Sequence, residues 1–199
     1  MDAKRLFDLI FSTLGLLILS PLLMIIPLCI LFESGTPIIY RQKRMGKDWK
    51  EITLYKFRTM SFQKTGDDLG CSPKNDKRIT KVGKYLRKYK FDEIPQLFNV
   101  LRGDMSLVGP RPELPKFVKY YPDIYEEILK IKPGITDLAS IKFRNESSLL
   151  DSESVDVEKV YLTEILPRKL EYSRIYLKKQ NFFYDIRLIF KTIYTVIFK

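Results

Sequence analysis

The sequence predicts an α+β fold: a single, mostly helical, membrane-associated domain with a small β-hairpin and an N-terminal membrane helix. Three observations predict it. Residues Leu9–Phe32 contain no charged side chain and are dominated by Leu and Ile, with Phe and Met among them. Residues Pro37–Met60 carry the alternation and turn residues of two paired strands. Much of the remainder spaces its apolar residues at helical intervals, with no internal repeat or low-complexity tract. At 199 residues the chain suits one domain with an appended membrane element, and it is long enough to bury a core. A formal net charge of +11 calls for an anionic partner: nucleic acid, anionic lipid or a phosphorylated substrate. Nucleic acid is not expected, because no recognition motif is present and that reading leaves the apolar run unexplained.

The apolar run comes first. As a straight helix it would be roughly 36 Å long at ~1.5 Å per residue, enough for a ~30 Å hydrocarbon core. Two geometries fit it. One is a plain transmembrane span; a cleaved signal peptide fits less well, since the run is long and no small-residue cleavage site ends it. The other is a re-entrant helix bent at Ser20-Pro21, with Pro27 following, because a mid-helix proline removes a backbone hydrogen bond. Basic residues flank both ends, Lys4 and Arg5 before and Arg41, Lys43, Arg44, Lys47 and Lys50 after. The positive-inside tendency would keep both flanks cytoplasmic, which a helix entering and leaving on one face allows.

Next, PIIYRQ and EITLYKF read as strands joined by a turn at Met45–Asp48. Ser61–Asp76 reads as a mobile polar loop. Asp76–Tyr89 reads as a basic amphipathic helix, with Ile79, Val82, Leu86 and Tyr89 at helical spacing among lysines and arginines, suited to lying on anionic lipid. Pro110–Pro115 is expected to be a rigid connector, Phe117–Lys130 a short helix, Pro133-Gly134 a turn, Ile135–Phe143 extended, and Ser147–Asp156 a loop or helix start. Val157–Lys179 has helical character with Pro167 near a boundary. Phe182–Phe198 reads as a helix that is apolar on most sides, either buried or dipped into a membrane interface. The two cysteines, Cys29 and Cys71, have no companions for a disulfide framework or a zinc site, and both are expected to be reduced.

The chain has no histidine, so any acid, base or nucleophile must be a carboxylate, Lys, Tyr, Ser/Thr or Cys. The chemistry is expected in Phe91–Pro112, FDEIPQLFNVLRGDMSLVGPRP. Asp92-Glu93-Ile94-Pro95 looks like a helix start, with Asp92 at or beside the cap and Pro95 in the first turn. The plain explanation is that Asp92 caps the helix and Glu93 pairs with Lys90. Three features favour a phosphate site instead. Arg111 is braced between prolines and suits a bidentate grip on phosphate. Arg87 precedes the acidic pair by five residues and Arg144 follows a turn downstream, so further guanidinium groups could converge. The pair also allows a division of labour, one carboxylate coordinating Mg²⁺ while the other attacks phosphorus.

These pieces, in this order and spacing, resemble the bacterial sugar transferase family, the monotopic phosphoglycosyl transferases that attach the first sugar phosphate to a polyprenol phosphate. The resemblance covers nearly the whole chain: the Ser20-Pro21 break, QKRMG (Gln42–Gly46), YKFRTM (Tyr55–Met60), RITKVGKYLRK (Arg78–Lys88), the FDE-to-PRP stretch, and PGIT (Pro133–Thr136) leading to Arg144-Asn145. It implies a re-entrant membrane helix over residues 1–36 and an interfacial catalytic domain over 37–199, on the cytoplasmic face of the bacterial inner membrane. It implies that Asp92 attacks the β-phosphate of a UDP-sugar, expelling UMP and forming a sugar-phosphoryl aspartate, and that Glu93 binds Mg²⁺. Undecaprenyl phosphate would then take the sugar phosphate, initiating a surface glycan. Lys56, Arg87, Arg111 and Arg144 match positions that surround the phosphates in family members. Two departures stand out. Lys90-Phe91 replaces the usual Ser-Leu before the acidic pair, and Asp137–Phe143 replaces the usual Gly-Trp/Leu-Ala-Gln-Val-Asn-Gly after PGIT, which bears on the identity of the sugar. The alternative is a non-catalytic, basic peripheral membrane scaffold, which would release no UMP.

Overall fold

A computed structural model describes residues 2–61, 76–144 and 157–198, and it is an α+β protein, mostly helical. Helix α1 (Ala3–Ile18) and helix α2 (Ser20–Ser34) meet at Leu19. No single helix among the described residues is long and apolar enough to cross a membrane. Taken together, α1 and α2 have the length and composition, but they are bent by 59°. The straight 36 Å rod is therefore not formed. The local chemistry explains the bend. Pro21 has no N–H for Leu17 O, and the Ser20 hydroxyl donates to that carbonyl instead, at 2.8 Å. Helix α2 is apolar on all sides and leaves Met24, Ile25, Leu28 and Phe32 exposed. Cys29 is exposed there too.

Strands β1 (Ile39–Met45) and β2 (Glu51–Phe57) pair antiparallel from Ile39↔Phe57 to Met45↔Glu51, the expected hairpin. Its tip turns through Asp48 and Trp49, both with positive φ. The hairpin is joined to α2 by Arg58, whose Nη2 donates to Ser34 O, Ser34 Oγ and Gly35 O and so closes the helix end. Helix α3 covers only Lys81–Lys88, shorter than Asp76–Tyr89. Ile79 is instead bridged to Met60, and Thr80 caps the helix by accepting from Gly83 N–H at 2.9 Å. Glu33 at the end of α2 accepts from Lys81 and Val82 N–H, so α2 and α3 share one junction.

Helix α4 (Gln96–Arg102) is followed by strand β3 (Ser106–Val108). The single helix expected at Phe117–Lys130 is two, α5 (Pro115–Val118) and α6 (Pro122–Ile128), divided where Pro122 starts the second. Pro133-Gly134 is more than a turn: β4 (Gly134–Thr136) pairs in parallel with β3. The stretch after it is not extended. Asp137 accepts from Ser140 N–H at 2.7 Å and starts α7 (Leu138–Lys142). Helix α8 (Val157–Val160) runs through a widened turn at Tyr161–Ile165 into α9 (Leu166–Lys179), with Pro167 in the first turn of α9 as expected. Helix α10 (Phe182–Phe198) closes the described chain and exposes Phe183, Phe190, Ile197 and Phe198. The expected loop at Ser61–Asp76 lies, apart from its two end residues, outside the described residues, and Ser147–Asp156 and Cys71 lie wholly outside them.

Two features of the core position the site. Ile26 and Ile30 of α2 pack with Phe57, Leu86 and Ile94, joining the apolar helix to the hairpin, α3 and the acidic pair. Phe117, Tyr161, Leu166 and Leu170 pack α5 against α9.

Candidate active site

The acidic pair does not cap a helix in the expected way. Lys90 takes a left-handed backbone, φ 57°, and turns the chain sharply after α3. Phe91–Glu93 then forms one tight turn, with Glu93 N–H donating to Lys90 O at 3.1 Å. Pro95, not Asp92, stands at the start of α4. Both carboxylates are buried, each 8% exposed.

Two separate segments converge on Glu93. Lys56 of β2 donates from Nζ to Glu93 Oε1 at 3.1 Å, and Arg111 from Nη2 to the same oxygen at 2.8 Å. The expected pairing with Lys90 gives way to these two contacts. Asp92 is different: its Oδ1 is buried without a hydrogen-bond partner. Beside it Arg87 is held by its Nε–H bond to Thr59 Oγ1, at 2.8 Å.

The environment drives the two carboxyls apart. Burial pushes the Asp92 carboxyl above its ordinary range and the charge of Glu93 pushes it further, against the pull of Lys56, Lys90 and Arg87. Burial acts in the same direction on Glu93, but Arg111 and Lys56 outweigh it and hold that carboxyl well below its usual range. Burial lowers the Lys56 ammonium by more than Glu93 raises it. Glu93 is thus a fixed anion committed to two cations, and Asp92 is a poorly stabilised carboxylate with an oxygen to offer. Adjacent acids with opposed shifts suit separate chemical roles.

Arg111 is pinned from both sides. Upstream, Gly109 N–H donates to Thr136 O at 3.1 Å and Gly134 N–H to Pro110 O at 2.9 Å. The two backbones cross so closely that a Cβ on Gly134 would lie 2.1 Å from Gly109 N, so neither position admits a side chain. Downstream, buried Glu113 accepts from Arg44 Nη1 at 2.9 Å, Tyr161 OH at 2.6 Å and Leu114 N–H at 3.0 Å. The PGIT and QKRMG motifs therefore serve the GPRP turn. The roles of Thr59, Glu113 and Tyr161 escaped the sequence reading, although Thr59 lies inside YKFRTM. Arg144, just after α7, has a buried Nη1 without a hydrogen bond, and no contact among the described residues joins it to Asp92 or Glu93.

A single carboxylate such as Glu93 fits Mg²⁺, which binds one or two carboxylates and draws its remaining oxygens from substrate phosphates and water. No group of three or more metal-binding side chains is present among the described residues, so an all-protein cage is absent there.

This ordered set of motifs has counterparts elsewhere. The sequence pattern described as bacterial sugar transferase matches residues 1–199. The UDP-glucose:undecaprenyl-phosphate glucose-1-phosphate transferase of Klebsiella pneumoniae is 38% identical over 198 residues, covering 98% of this chain and 40% of that protein. The UDP-N-acetylgalactosamine-undecaprenyl-phosphate N-acetylgalactosaminephosphotransferase of Aeromonas hydrophila is 32% identical, over 98% of this chain and 43% of its own length. The uncharacterized sugar transferase EpsL of Bacillus subtilis (strain 168) is 35% identical, over 99% of this chain and 88% of its own. The chain spans about two fifths of the length of the first two relatives. It belongs to the bacterial sugar transferase family.

Proposed function

We propose that this chain is a phosphoglycosyl transferase that moves a sugar 1-phosphate from a UDP-sugar to undecaprenyl phosphate, releasing UMP and initiating a surface glycan. The observation that carries the reading is the divided acidic pair, with Glu93 gripped by Lys56 and Arg111 while Asp92 keeps a buried, unbonded oxygen. An Asp92 oxygen attacks the β-phosphorus, the bond from that phosphorus to the bridging oxygen breaks, and UMP leaves with the bonding pair. An oxygen of undecaprenyl phosphate then attacks the same phosphorus and displaces the Asp92 carboxylate, giving undecaprenyl diphosphate sugar. Arg111 and Lys56 supply positive charge where the diphosphate sits, which is most of what phosphoryl transfer requires. Arg87, beside Asp92, adds to it, and Arg144 is assigned to the substrate phosphates by its match to the family pattern alone. Glu93 would hold Mg²⁺, which when bound supplies further charge to the diphosphate oxygens.

The bent, exposed apolar pair α1–α2 supports a re-entrant insertion from the cytoplasmic face of the bacterial inner membrane, with residues 37–199 at the interface. Undecaprenyl-phosphate activity is named for the relatives as whole proteins, and the segment they share with this chain covers 98% of it. The test is UMP release from a panel of UDP-sugars with undecaprenyl phosphate and Mg²⁺, together with intact-mass measurement of the protein. The wild-type chain should gain the mass of one sugar phosphate when the lipid is omitted, and Asp92→Asn should gain none. An Asp92→Asn protein with full turnover removes Asp92 from the reaction.

A further inference from the structure

Strand β3 runs directly into the Arg111 turn, and both ends of it are fastened to the apolar helices. At its start the Ser106 hydroxyl donates to Asp8 Oδ1 at 3.1 Å, and Leu107 N–H donates to the same oxygen at 3.0 Å. At its end Val108 O accepts from Lys4 Nζ at 3.2 Å and from Tyr176 OH at 3.3 Å. Lys4 also pairs with Asp185 of α10, and Phe7 of α1 meets Phe182 edge to face at 5.3 Å. Beside them Arg5 donates to Val100 O and Leu101 O, closing the end of α4, the helix that starts just after Glu93.

The edges of β3 show why Asp8 matters. Ser106 N–H and Gly109 N–H face β4, bonded to Pro133 O and Thr136 O. Leu107 N–H faces the other edge, where Asp8 takes the place of a neighbouring strand. Asp8 is 3% exposed and Ser106 1%, so the link is dry. A three-residue strand paired on one side only would otherwise be a loose support for Arg111.

We propose that Asp8 is a positioning residue for the reaction: by holding Ser106 and Leu107 it sets β3, and β3 sets the turn that aims Arg111 at Glu93. The activity part of this inference rests on the phosphoglycosyl transferase reading; the geometric part does not. The full-length chain in lipid nanodiscs carries the test, with hydrogen–deuterium exchange of the 104–112 segment and the rate of UMP release as readouts. Asp8→Ala should speed exchange at Leu107 and Gly109 and lower kcat by about tenfold or more, as expected when a charge-stabilising group is misplaced by a fraction of an ångström. Asp8→Asn retains a carbonyl oxygen for both donors and should restore most of each. In an Arg111→Ala background, Asp8→Ala should cost nothing further, since both changes remove one function.

Wild-type exchange in Asp8→Ala overturns the proposal, and so does faster exchange with an unchanged kcat. Independent, multiplicative losses for Asp8→Ala and Arg111→Ala overturn it as well, because they assign Asp8 a merely structural part. If Asp8→Ala does not fold, Ser106→Ala, which spares the Leu107 bond, takes its place, with a loss of about threefold expected and the same cycle against Arg111→Ala. A wild-type chain that releases no UMP from any UDP-sugar defeats the functional reading, while the exchange results still decide whether Asp8 holds β3.

Discussion

Removing the ammonium of Lys56 should destabilise the protein through Glu93. Lys56→Met keeps the apolar stem but removes the group 3.1 Å from Glu93 Oε1. Both side chains are largely out of solvent, at 17% and 9% exposure. At that separation, with an effective dielectric of about 20, the attraction is about 5 kcal/mol. Desolvation of the ammonium offsets part of this, since burial lowers Lys56 by more than Glu93 raises it. Glu93 also keeps Arg111, at 2.8 Å. The expected loss is therefore about 3 kcal/mol, the lower end for breaking a buried pair. For a chain of this length that is a fall in Tm of about 6–12 °C. Glu93→Gln should cost a similar amount, because it strands two cations. The double variant Lys56→Met/Glu93→Gln should be more stable than the sum of the single losses by about 2 kcal/mol, as each single change leaves a charge that the double change removes. Thermal unfolding of the full chain in detergent, at one scan rate, reads all four proteins. An unchanged Tm for Lys56→Met, or strictly additive losses, would refute the pairing argument.

Acid should unfold the protein through Glu93 and Glu113. Burial pushes both carboxyls up, but Arg111 for Glu93 and Arg44 for Glu113 prevail, so both titrate below the ordinary 4.5. The stability they contribute is complete above that value and lost as pH falls through their folded values. Asp92 has the opposite sign: its carboxyl titrates above the ordinary 3.8, so its ionisation subtracts stability as pH rises from there through its folded value. Urea unfolding at a series of pH values should show the acid loss, and Glu113→Gln should flatten it; an unaltered acid limb counts against the Arg44–Glu113 account. In the α1–α2 pair proposed to be re-entrant, Ser20→Ala/Pro21→Ala gives Leu17 O an amide donor again and should straighten the break. With Cys29 and Cys71 replaced, a cysteine at position 2 should be labelled from the cytoplasmic side in the parent and from the opposite side in the straightened variant. Identical labelling in both removes Ser20-Pro21 as the cause of topology.

Local pattern made the hairpin, the Ser-Pro break and the C-terminal helix legible, since each rests on residues close in the chain. The parallel β3–β4 pair was not, because two three-residue strands from distant segments carry no alternation to read. Ile135–Phe143 looked extended through its β-branched start, whereas the Asp137 side chain bonded to Ser140 N–H begins a helix there. The site residues Asp92, Glu93 and Arg111 were legible by type and spacing. Their arrangement was not: the Lys90 turn, its left-handed backbone invisible in sequence, moves Asp92 away from the helix cap, and Glu93 finds partners on a strand and a turn far along the chain. Lys4 and Arg5 illustrate the same limit. They read as flanking charges, yet their side chains are engaged inside the protein with Val108, Asp185, Val100 and Leu101.

The junctions made by α1 and α2 bear on how the protein can be prepared. Deleting the first helices is a common way to make a membrane enzyme soluble, but here the cut would pass through working joints. Arg58 would lose the carbonyls of Ser34 and Gly35, α3 the Glu33 carboxylate at its first turn, α4 the Arg5 guanidinium at its last, and β3 the Asp8 oxygen along its open edge. Each of these donors and carbonyls would lose the partner it has now. A shorter gene that omits α1 and α2 would therefore remove groups that hold α3, α4 and β3 in place.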